Sequence, residues 1–544
     1  MRYITFILAV ALFTHSNAQD LIVNIPQGAL RGSIDIDRVG NEFYKFMNIP
    51  YGLPPLGNLR FRAPVAAEGW EGVREVNNEI PICFQCGYAG CPGSEDCLYL
   101  HVYTPEFPTA NTTLKPVMVF IPGGGFTDGG PFEGAQHLIT EDIVLVTMSY
   151  RLGIFGSFSV DDPELGVPGN AAMKDQNLAI KWVHDNIEYF GGDSNNIMVF
   201  GDSAAGASVH LQVLSPMSKG LFHKALCESG VALFDLMNGV RNNGILVAQQ
   251  LGIQTDNLPE MLNSLQQVSP WEIFIAQQIL TAQYPVISTP LVEMKSNEPA
   301  FLSEEVITLI QTGNYNHMPF VIGHNNAEGL FVHIPIKLMT GQNITITDFT
   351  AYIPPDLQIQ PGSEEETIIA NRIREFYYGD TEPSPSDITQ AIQLITDYTF
   401  AYPSYRAAVE HARTAQYPVY FYYFTADTLL NIFKRTEEVA ANFPGASHSD
   451  EKGYLFRYDN TPEIESGSLE EQALERLITL WTNFAKYSTP TLENDEIAWD
   501  AITTDTFNFL HFDTDRSTSK TGAPQPANMA FWQQLYDDFF PARK

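Results

Sequence analysis

The chain has 544 residues, and its 30 Lys and Arg against 64 Asp and Glu give a formal net charge of −34. So acidic a chain is a poor candidate for binding nucleic acid or an anionic membrane. Hydrophobic residues make up 44% of the sequence and charged residues 17%, which allows a sizeable core and excludes bulk disorder.

Residues 1–18 have the pattern of a secretory signal peptide. Arg2 gives a positive start, residues 4–13 form a short apolar run, and small residues precede a predicted cleavage before Gln19. A retained membrane anchor is the alternative, but the apolar run is too short to span a bilayer comfortably. Because no later stretch approaches 18 apolar residues, we expect a soluble protein that is secreted, extracellular and without a membrane span.

Four of the five cysteines, Cys83, Cys86, Cys91 and Cys97, lie close together, and Cys227 stands alone. In an oxidising compartment such a cluster predicts disulfides. A zinc site is the alternative, but no His lies at ligand spacing inside the cluster. Four cysteines allow three pairings, and the spacing does not choose among them. We expect Cys227 to be a buried free thiol.

Two tripeptides match the acceptor motif for N-glycosylation. They begin at Asn111 and Asn343 and read Asn-Thr-Thr and Asn-Ile-Thr. In a secreted protein both asparagines are candidate glycosylation sites, although a single such motif can remain unused.

Three short apolar runs and one helical pattern lie between residues 115 and 206. The runs cover residues 117–121, 143–148 and 197–200, and their continuous, β-branched character fits strands buried on both faces, as in a parallel sheet. A helical repeat of apolar residues covers residues 178–190 and is ended by two glycines. This alternation predicts an α/β fold with a large, mostly parallel central sheet flanked by helices.

Residues 354–386 differ in composition from the segments before them. They are polar and contain several prolines. We therefore expect this segment to be a surface excursion.

Ser203 lies where the predicted strand at residues 197–200 turns sharply into a helical segment. Open α/β sheets place their sites at this carboxyl edge, and a serine in such a turn resembles the nucleophile elbow of α/β-hydrolases. The fifth position of that motif is usually glycine, but here it is Ala205, and Gly206 follows it. We expect the added methyl group to crowd the turn slightly. An ordinary Gly-Ser-Ala turn is the alternative.

A serine nucleophile needs a base and hydrogen-bond donors for the oxyanion. Three glycines follow the predicted strand at residues 117–121, and consecutive glycines let backbone N–H groups face a ligand. This segment looks like an HGGG-type oxyanion loop, with Pro122 where His is common. We expect the donors to be the N–H groups of Gly124, Gly125 and Ala204. A plain flexible loop is the alternative, and a phosphate cradle is disfavoured because no Lys-Ser or Lys-Thr follows.

Together these motifs resemble the type-B carboxylesterase and cholinesterase family, and most closely the insect secreted carboxylesterases. The resemblance covers nearly all of the mature chain. Its further marks are Tyr51-Gly52, Leu59-Arg60-Phe61, the run Ser-Glu-Asp-Cys-Leu-Tyr-Leu at residues 94–100, Asp175-Gln176 and Asn186-Ile187. The resemblance implies an α/β-hydrolase fold in which residues 19–544 form a single carboxylesterase domain.

The resemblance also implies two further site residues. The family's acid lies in a Gly-x-x-x-x-Glu-Gly motif, which makes Glu328 the candidate here, and its base lies in Gly-x-x-His-x-x-Glu, which makes His448 the candidate. The order Ser203, Glu328, His448 is the chain order of α/β-hydrolases. His324 is the nearest rival base, but it precedes Glu328 and breaks that order.

The resemblance carries implications for the cysteines and for residues around the site as well. The family's disulfide pattern implies a Cys83–Cys97 bond, which leaves the other two clustered cysteines as an extra local pair. Ser229 matches a serine that often supports the triad from behind, with an ordinary loop serine as the alternative. Phe126 and Phe331, beside the oxyanion loop and the acid, are candidate pocket residues, and core packing accounts for them equally well.

The function that the resemblance implies is that of a serine carboxylesterase acting through a Ser-His-Glu triad and an acyl-enzyme, with no metal or cofactor. Its expected partners are small-molecule esters of small or medium apolar alcohols and acids, such as odorant, xenobiotic or dietary esters. A juvenile-hormone esterase is a less favoured alternative, because those enzymes usually carry Gln where this chain has Asp202. A catalytically weak or inactive cholinesterase-like adhesion or binding protein is the other alternative. It is supported by Ala205 and Pro122, the two positions where the chain departs from the catalytic motifs.

Overall fold

The computed structural model describes residues 21–75, 82–86, 90–234, 237–294 and 299–540. The expected signal peptide, residues 1–18, and its cleavage site therefore lie outside the described residues.

Within the described residues, the strands form one 11-stranded sheet in the order β14-β13-β12-β11-β10-β9-β7-β8-β6-β4-β3 and a small sheet of β1, β2 and β5. The strands are β1 (Ile22–Ile25), β2 (Gly28–Arg31), β3 (Ser33–Ile36), β4 (Glu42–Pro50), β5 (Val73–Arg74), β6 (Tyr99–Thr104), β7 (Lys115–Ile121), β8 (Val144–Met148), β9 (Gly192–Asp202), β10 (Lys224–Glu228), β11 (Phe320–Asn325), β12 (Val419–Phe424), β13 (Asn508–Phe512) and β14 (Ser517–Thr521).

The centre of the large sheet is parallel, as expected. From β8 through β7, β9, β10, β11 and β12 to β13, each strand pairs in parallel with the next. The strands at the two edges pair antiparallel. The three predicted apolar runs are β7, β8 and β9, and β9 is longer than predicted because it begins at Gly192. Their carboxyl ends therefore lie at one edge of the sheet, where Ser203 and Glu328 follow β9 and β11.

Helices cover both faces of this sheet. They are α1 (Gly153–Ser157), α2 (Ala171–Asn186), α3 (Ala204–Leu214), α4 (Asn243–Gln250), α5 (Leu258–Leu265), α6 (Pro270–Thr281), α7 (Val306–Thr312), α8 (Leu330–Thr340), α9 (Glu364–Tyr378), α10 (Ile388–Thr396), α11 (Tyr402–Thr414), α12 (Glu438–Ala441), α13 (Lys452–Leu455), α14 (Leu469–Tyr487) and α15 (Pro526–Phe539). The predicted helix at residues 178–190 is α2 followed by a 3₁₀ turn, and Gly191 ends it with φ 84°.

Alternate residues of the central strands face different helices. On β7, Val119 belongs to the cluster that contains Trp182 of α2, whereas Phe120 belongs to the cluster that contains Trp481 of α14. Because successive side chains of a strand point to opposite faces, a strand covered on both sides must be apolar at every position. This is the physical reason that the continuous apolar runs identified the core strands.

The expectation of a surface excursion at residues 354–386 is only partly right. The segment contains α9, which begins after the N-cap Ser363, and Ile369 and Ile373 of this helix are fully buried. Their spacing of four residues places both on one face, while the first turn is acidic and faces solvent. The polar composition therefore describes the outer face of a packed helix.

The cysteine cluster forms two disulfides, Cys83–Cys97 and Cys86–Cys91. This pairing is the one that the family resemblance implies, and it leaves no clustered cysteine free to bind zinc. Cys227 is a buried free thiol.

The surface carries both candidate glycosylation sites. Asn111 is exposed, whereas Asn343 is partly buried, and its Nδ2 atom donates to the Pro385 carbonyl at 3.0 Å. Across the described part of the chain, the helices include none with the length and apolar character needed to cross a bilayer.

Candidate active site

The sharp turn between β9 and α3 presents Ser203 at the carboxyl edge of the sheet. Ser203 has φ 60° and ψ −129°, a conformation that a non-glycine residue adopts only at some energetic cost. Its backbone N–H donates to the Glu228 carbonyl at 2.8 Å, which ties the turn to β10. The backbone therefore directs the serine away from the buried strand, as expected for a nucleophile elbow.

The helix and the strands approach closely around this turn. A Cβ atom at Gly206 would lie 2.7 Å from the Gly230 carbonyl oxygen, so only glycine fits there. The methyl group of Ala205 faces Gly201, where an added Cβ atom would lie 2.9 Å from it. The expected crowding from Ala205 is thus relieved by the missing side chain of Gly201.

Glu328 and His448 contact each other beside the turn. His448 Nδ1 lies 2.6 Å from Glu328 Oε2, and Glu328 Oε1 accepts the N–H of Asn325 at 2.7 Å. Glu328 is fully buried, at the turn after β11, and His448 lies in the loop before α13. Burial disfavours the charged imidazolium, but the adjacent Glu328 carboxylate outweighs this effect, and the pKa of His448 lies above its usual value.

Ser203 and His448 line the same cavity. The Ser203 hydroxyl makes no hydrogen bond to any described residue, and Ser203 lines the cavity that His448 shares. The rival His324 is buried and does not line this cavity; its Nδ1 donates to the carbonyl of Asn325 at 2.9 Å.

The glycine loop lines the same cavity as Ser203 and His448. Gly124 and Gly125 have φ values of 125° and 61°, which favour glycine. The N–H groups of Gly124, Gly125 and Ala204 form no hydrogen bond within the described part of the chain, and all three residues line the cavity. Ala204 also begins α3, so its N–H lies at the positive end of a helix dipole. These donors are suited to bind a negatively charged oxygen.

The cavity has a volume of about 690 Å³, and aromatic side chains dominate its wall. Both phenylalanines identified from the sequence line it: Phe126 is buried, whereas 39% of Phe331 is exposed, so Phe331 is not a core residue. The other aromatic lining residues are Phe132, Phe234, Tyr398, Phe400, Phe433 and Tyr458. The wall therefore favours apolar groups on both sides of a bound ester.

Phe400 contacts His448 directly and was not identified from the sequence. Its ring stacks on the imidazole at a centroid distance of 4.4 Å and an angle of 29°. Phe400 belongs to a π-helical stretch, Asp397–Ala401, between α10 and α11. Asp397 anchors this stretch, because its carboxylate accepts the Tyr377 hydroxyl at 2.6 Å. Sequence periodicity gives no signal for a single π-helical turn, although such turns are frequent at functional sites.

Ser229 lies behind the His448–Glu328 pair and acts on it only indirectly. Its hydroxyl donates to Glu451 Oε1 at 3.3 Å, and the other oxygen of Glu451 accepts from the side chain of Asn325, whose backbone N–H binds Glu328. Burial, together with the nearby Glu328, raises the pKa of Glu451. Glu451 is the last residue of the Gly-x-x-His-x-x-Glu motif, and that motif is the signal that could have identified it.

Comparison with known proteins gives a family and a fold. Residues 19–532 match the model of a family described as the carboxylesterase family. Juvenile hormone esterase from Tribolium castaneum is 29% identical over 95% of this chain and 94% of that protein. Acylcarnitine hydrolase from Mus musculus is 32% identical over 89% of this chain and 87% of that protein. The crystal structure of juvenile hormone esterase from Manduca sexta, with OTFP covalently attached, is 25% identical over 95% of this chain and 99% of that chain, with a TM-score of 0.82. The expected α/β-hydrolase fold is confirmed.

Proposed function

The chain belongs to the carboxylesterase family and is a carboxylic ester hydrolase, and from that premise we propose that Ser203, His448 and Glu328 cleave esters through a covalent acyl-enzyme. The observation that carries this proposal is the 2.6 Å contact between His448 Nδ1 and Glu328 beside a cavity that Ser203 shares. Such a contact orients an imidazole as a general base for a nearby nucleophile.

In the proposed first step, His448 accepts the Ser203 proton through Nε2, because Nδ1 is engaged by Glu328. Ser203 Oγ attacks the ester carbonyl carbon, and the carbonyl oxygen becomes an oxyanion. The N–H groups of Gly124, Gly125 and Ala204 would bind this oxyanion, and one such donor is worth roughly 3–4 kcal/mol of transition-state stabilisation.

Collapse of the tetrahedral intermediate breaks the bond between the carbonyl carbon and the alkoxy oxygen. The alcohol leaves with the proton held by His448, and the acyl group remains on Ser203 Oγ. Water then attacks the acyl carbon with His448 as base, and the second intermediate releases the acid and returns the proton to Ser203. Glu328 orients the imidazole and stabilises the imidazolium in both halves, and the scheme uses no metal or cofactor.

The proposed substrates are esters of small or medium apolar alcohols and acids, among which odorant, xenobiotic and dietary esters are candidates. The aromatic wall of the cavity and its volume of about 690 Å³ support this class. Juvenile hormone is a second candidate, favoured by two relatives that bear the name juvenile hormone esterase. Esters whose alcohol or acid carries a charge should be poor substrates by comparison.

We also propose that the enzyme is secreted after removal of residues 1–18 and that residues 19–544 are the mature domain. The signal-peptide pattern and the two disulfides support this, since disulfides form in oxidising compartments. Insect cells that express the chain should release into the medium a protein that begins at Gln19. Treatment with an N-glycosidase should lower the mass of this protein if Asn111 or Asn343 carries sugar. Retention of the uncleaved chain inside cells would contradict secretion.

Hydrolysis of p-nitrophenyl acetate by the parent and by Ser203→Ala tests the proposed function. The variant should lose at least about 10³-fold in kcat, because only binding and the oxyanion donors remain. Ser194→Ala is a matched control, since Ser194 lies near the opposite end of β9 and, among the described residues, its hydroxyl bonds only to the Glu188 carboxylate. Parental rates in Ser203→Ala would contradict the proposal.

A further inference from the structure

The carboxylate of Asp202 joins three segments of the candidate site. Asp202 immediately precedes Ser203, and its side chain is buried. Oδ1 accepts the N–H of Gly123, the residue before the two proposed oxyanion donors of the loop, at 3.2 Å. Oδ2 accepts the Ser449 hydroxyl at 2.7 Å, and Ser449 follows His448 in the chain. One anion thus bonds the nucleophile turn to both the oxyanion loop and the histidine loop.

A buried lysine completes this junction. Lys452 Nζ lies 3.2 Å from Asp202 Oδ2 and 3.7 Å from Glu133 Oε1, and only 11% of the Lys452 side chain is exposed. The ammonium also lies over the Phe433 ring, 5.2 Å from its centroid. Lys452 is the first residue of α13 and lies four residues after His448. It therefore ends the loop that carries the proposed base.

Electrostatics keep both partners charged. Burial alone would favour the neutral form of each, but Lys452 outweighs that effect at Asp202, and the pKa of Asp202 lies below its usual value. Asp202 and Glu133 in turn hold the pKa of Lys452 above its usual value. An ionised Asp202 accepts two hydrogen bonds and pairs with the Lys452 ammonium at once, whereas a buried carboxylate without a cation would be strongly destabilised.

We propose that Lys452 is a positioning residue for ester hydrolysis: its ammonium holds the Asp202 carboxylate, and through Asp202 it fixes the oxyanion loop against the loop that carries His448. This inference rests on the proposed function, because it takes Ser203 and His448 as the reacting groups. Among the described residues, Lys452 forms no hydrogen bond or ion pair with Ser203 or His448, although it lines the same cavity. Its effect is geometric, and displacement of reacting groups by about 1 Å can lower a rate by about 10²-fold.

Four variants test the role of Lys452 with p-nitrophenyl acetate: Lys452→Met, Lys452→Arg, Asp202→Asn and the double variant Asp202→Asn/Lys452→Met. Lys452→Met should lower kcat by about 10-fold to 100-fold, because the oxyanion loop and the histidine loop lose their fixed relative position. Lys452 also lines the cavity, so KM should change as well, but by a smaller factor than kcat. Lys452→Arg keeps the charge and should recover most of kcat. The double variant Asp202→Asn/Lys452→Met should lose no more than the worse single variant, because the two residues act as one unit.

A matched control separates positioning from fold stability. Lys174 and Glu293 form a second buried ion pair, at 2.9 Å, and neither residue lines the cavity. Lys174→Met should lower the unfolding midpoint as Lys452→Met does, yet keep the parental kcat per folded molecule. Folded fractions are measured by circular dichroism before each assay.

Each outcome bears on one claim. Parental kcat in folded Lys452→Met, or losses that multiply in the double variant, would overturn the role of Lys452. If either result is found while Ser203→Ala is inactive, the proposed function stands and only the positioning role of Lys452 fails. Parental activity in Ser203→Ala would overturn the proposed function first. If Lys452→Met does not fold, the two remaining single variants decide: parental kcat in folded Asp202→Asn, or a loss in folded Lys452→Arg as large as in Asp202→Asn, would overturn the inference.

Discussion

His448 is held by a carboxylate at one ring nitrogen and by an aromatic ring on one face. Glu328 contacts Nδ1 at 2.6 Å, and Phe400 stacks on the ring at 4.4 Å. The carboxylate fixes the tautomer with the proton on Nδ1 and leaves Nε2 free to act as the base. Both neighbours also favour the charged ring that forms during the reaction, so each is expected to affect the rate and the pH profile.

Substitution Glu328→Gln should move the acid limb of the pH profile of kcat/KM to lower pH. The neutral imidazole is the active form, and the parental midpoint should lie above about 6.5, since the pKa of His448 is raised. Loss of the Glu328 charge lowers that pKa, and loss of orientation should lower kcat by about 10³-fold or more. Rates of p-nitrophenyl acetate hydrolysis from about pH 5 to about pH 9 measure both effects. An unshifted midpoint would contradict the assignment of Glu328.

Substitution Phe400→Leu should lower kcat by about 3-fold to 30-fold, because a stacked ring stabilises an imidazolium by about 0.5–2 kcal/mol. Phe331→Leu is the matched control: this ring is tilted at 50° and lies 5.2 Å from His448, so its loss should act mainly on KM for larger esters. Steady-state kinetics with acetate and hexanoate esters separate the two effects. Equal changes in kcat for both variants would argue against a special role for Phe400.

The tight packing of α3 against β9 and β10 sets the position of the nucleophile. Gly206→Ala would place a methyl group 2.7 Å from the Gly230 carbonyl oxygen, so α3 must shift and carry Ser203 with it. Overpacking of this kind should lower the free energy of unfolding by about 1–3 kcal/mol, with a parallel loss of kcat. Urea unfolding and kinetics measure the two losses. Ala205→Gly is the control, since it adds no atom, and it should keep kcat near the parental value.

The elements that could be predicted from sequence are those whose environment is uniform along the chain. β7 and β8 are buried on both faces, so each reads as a continuous apolar run. α9 was missed because its buried face is narrow and its polar residues dominate the composition. Phe400 and Lys452 gave no signal, since a π-helical turn has no distinct periodicity and an isolated lysine has the pattern of a surface residue. Ser203 and the glycine loop were predicted from the strand, turn and glycine pattern, whereas Glu328 and His448 were predicted only from the family resemblance.

On the scale of the whole molecule, the disulfide segment is linked to the oxyanion loop. Gln85 lies between the disulfide cysteines, and its side-chain amide exchanges two hydrogen bonds with the backbone of Gly129, at 2.8 and 2.9 Å. Gly129 follows the glycines of the oxyanion loop and lines the cavity. A segment far from Ser203 in sequence therefore supports the geometry of the site.

Replacement of both Cys83 and Cys97 by alanine should lower the free energy of unfolding by about 2–4 kcal/mol, because the crosslink restricts the unfolded chain. The unfolding midpoint in urea measures this loss. Reductant should lower the parental midpoint in the same direction and should have no effect on a variant that lacks all four clustered cysteines. A parental midpoint that reductant leaves unchanged would show that the disulfides do not stabilise the fold.

The proposed mechanism depends on acylation of Ser203 during turnover. Acid quenching of the enzyme during p-nitrophenyl acetate hydrolysis, followed by mass spectrometry of its peptides, tests this most directly. One acetyl group should appear on the peptide that contains Ser203 and none on the same peptide of Ser203→Ala, and the label should appear more slowly in His448→Ala. Continued hydrolysis by the parent with no acetyl group on Ser203 would contradict the proposed mechanism.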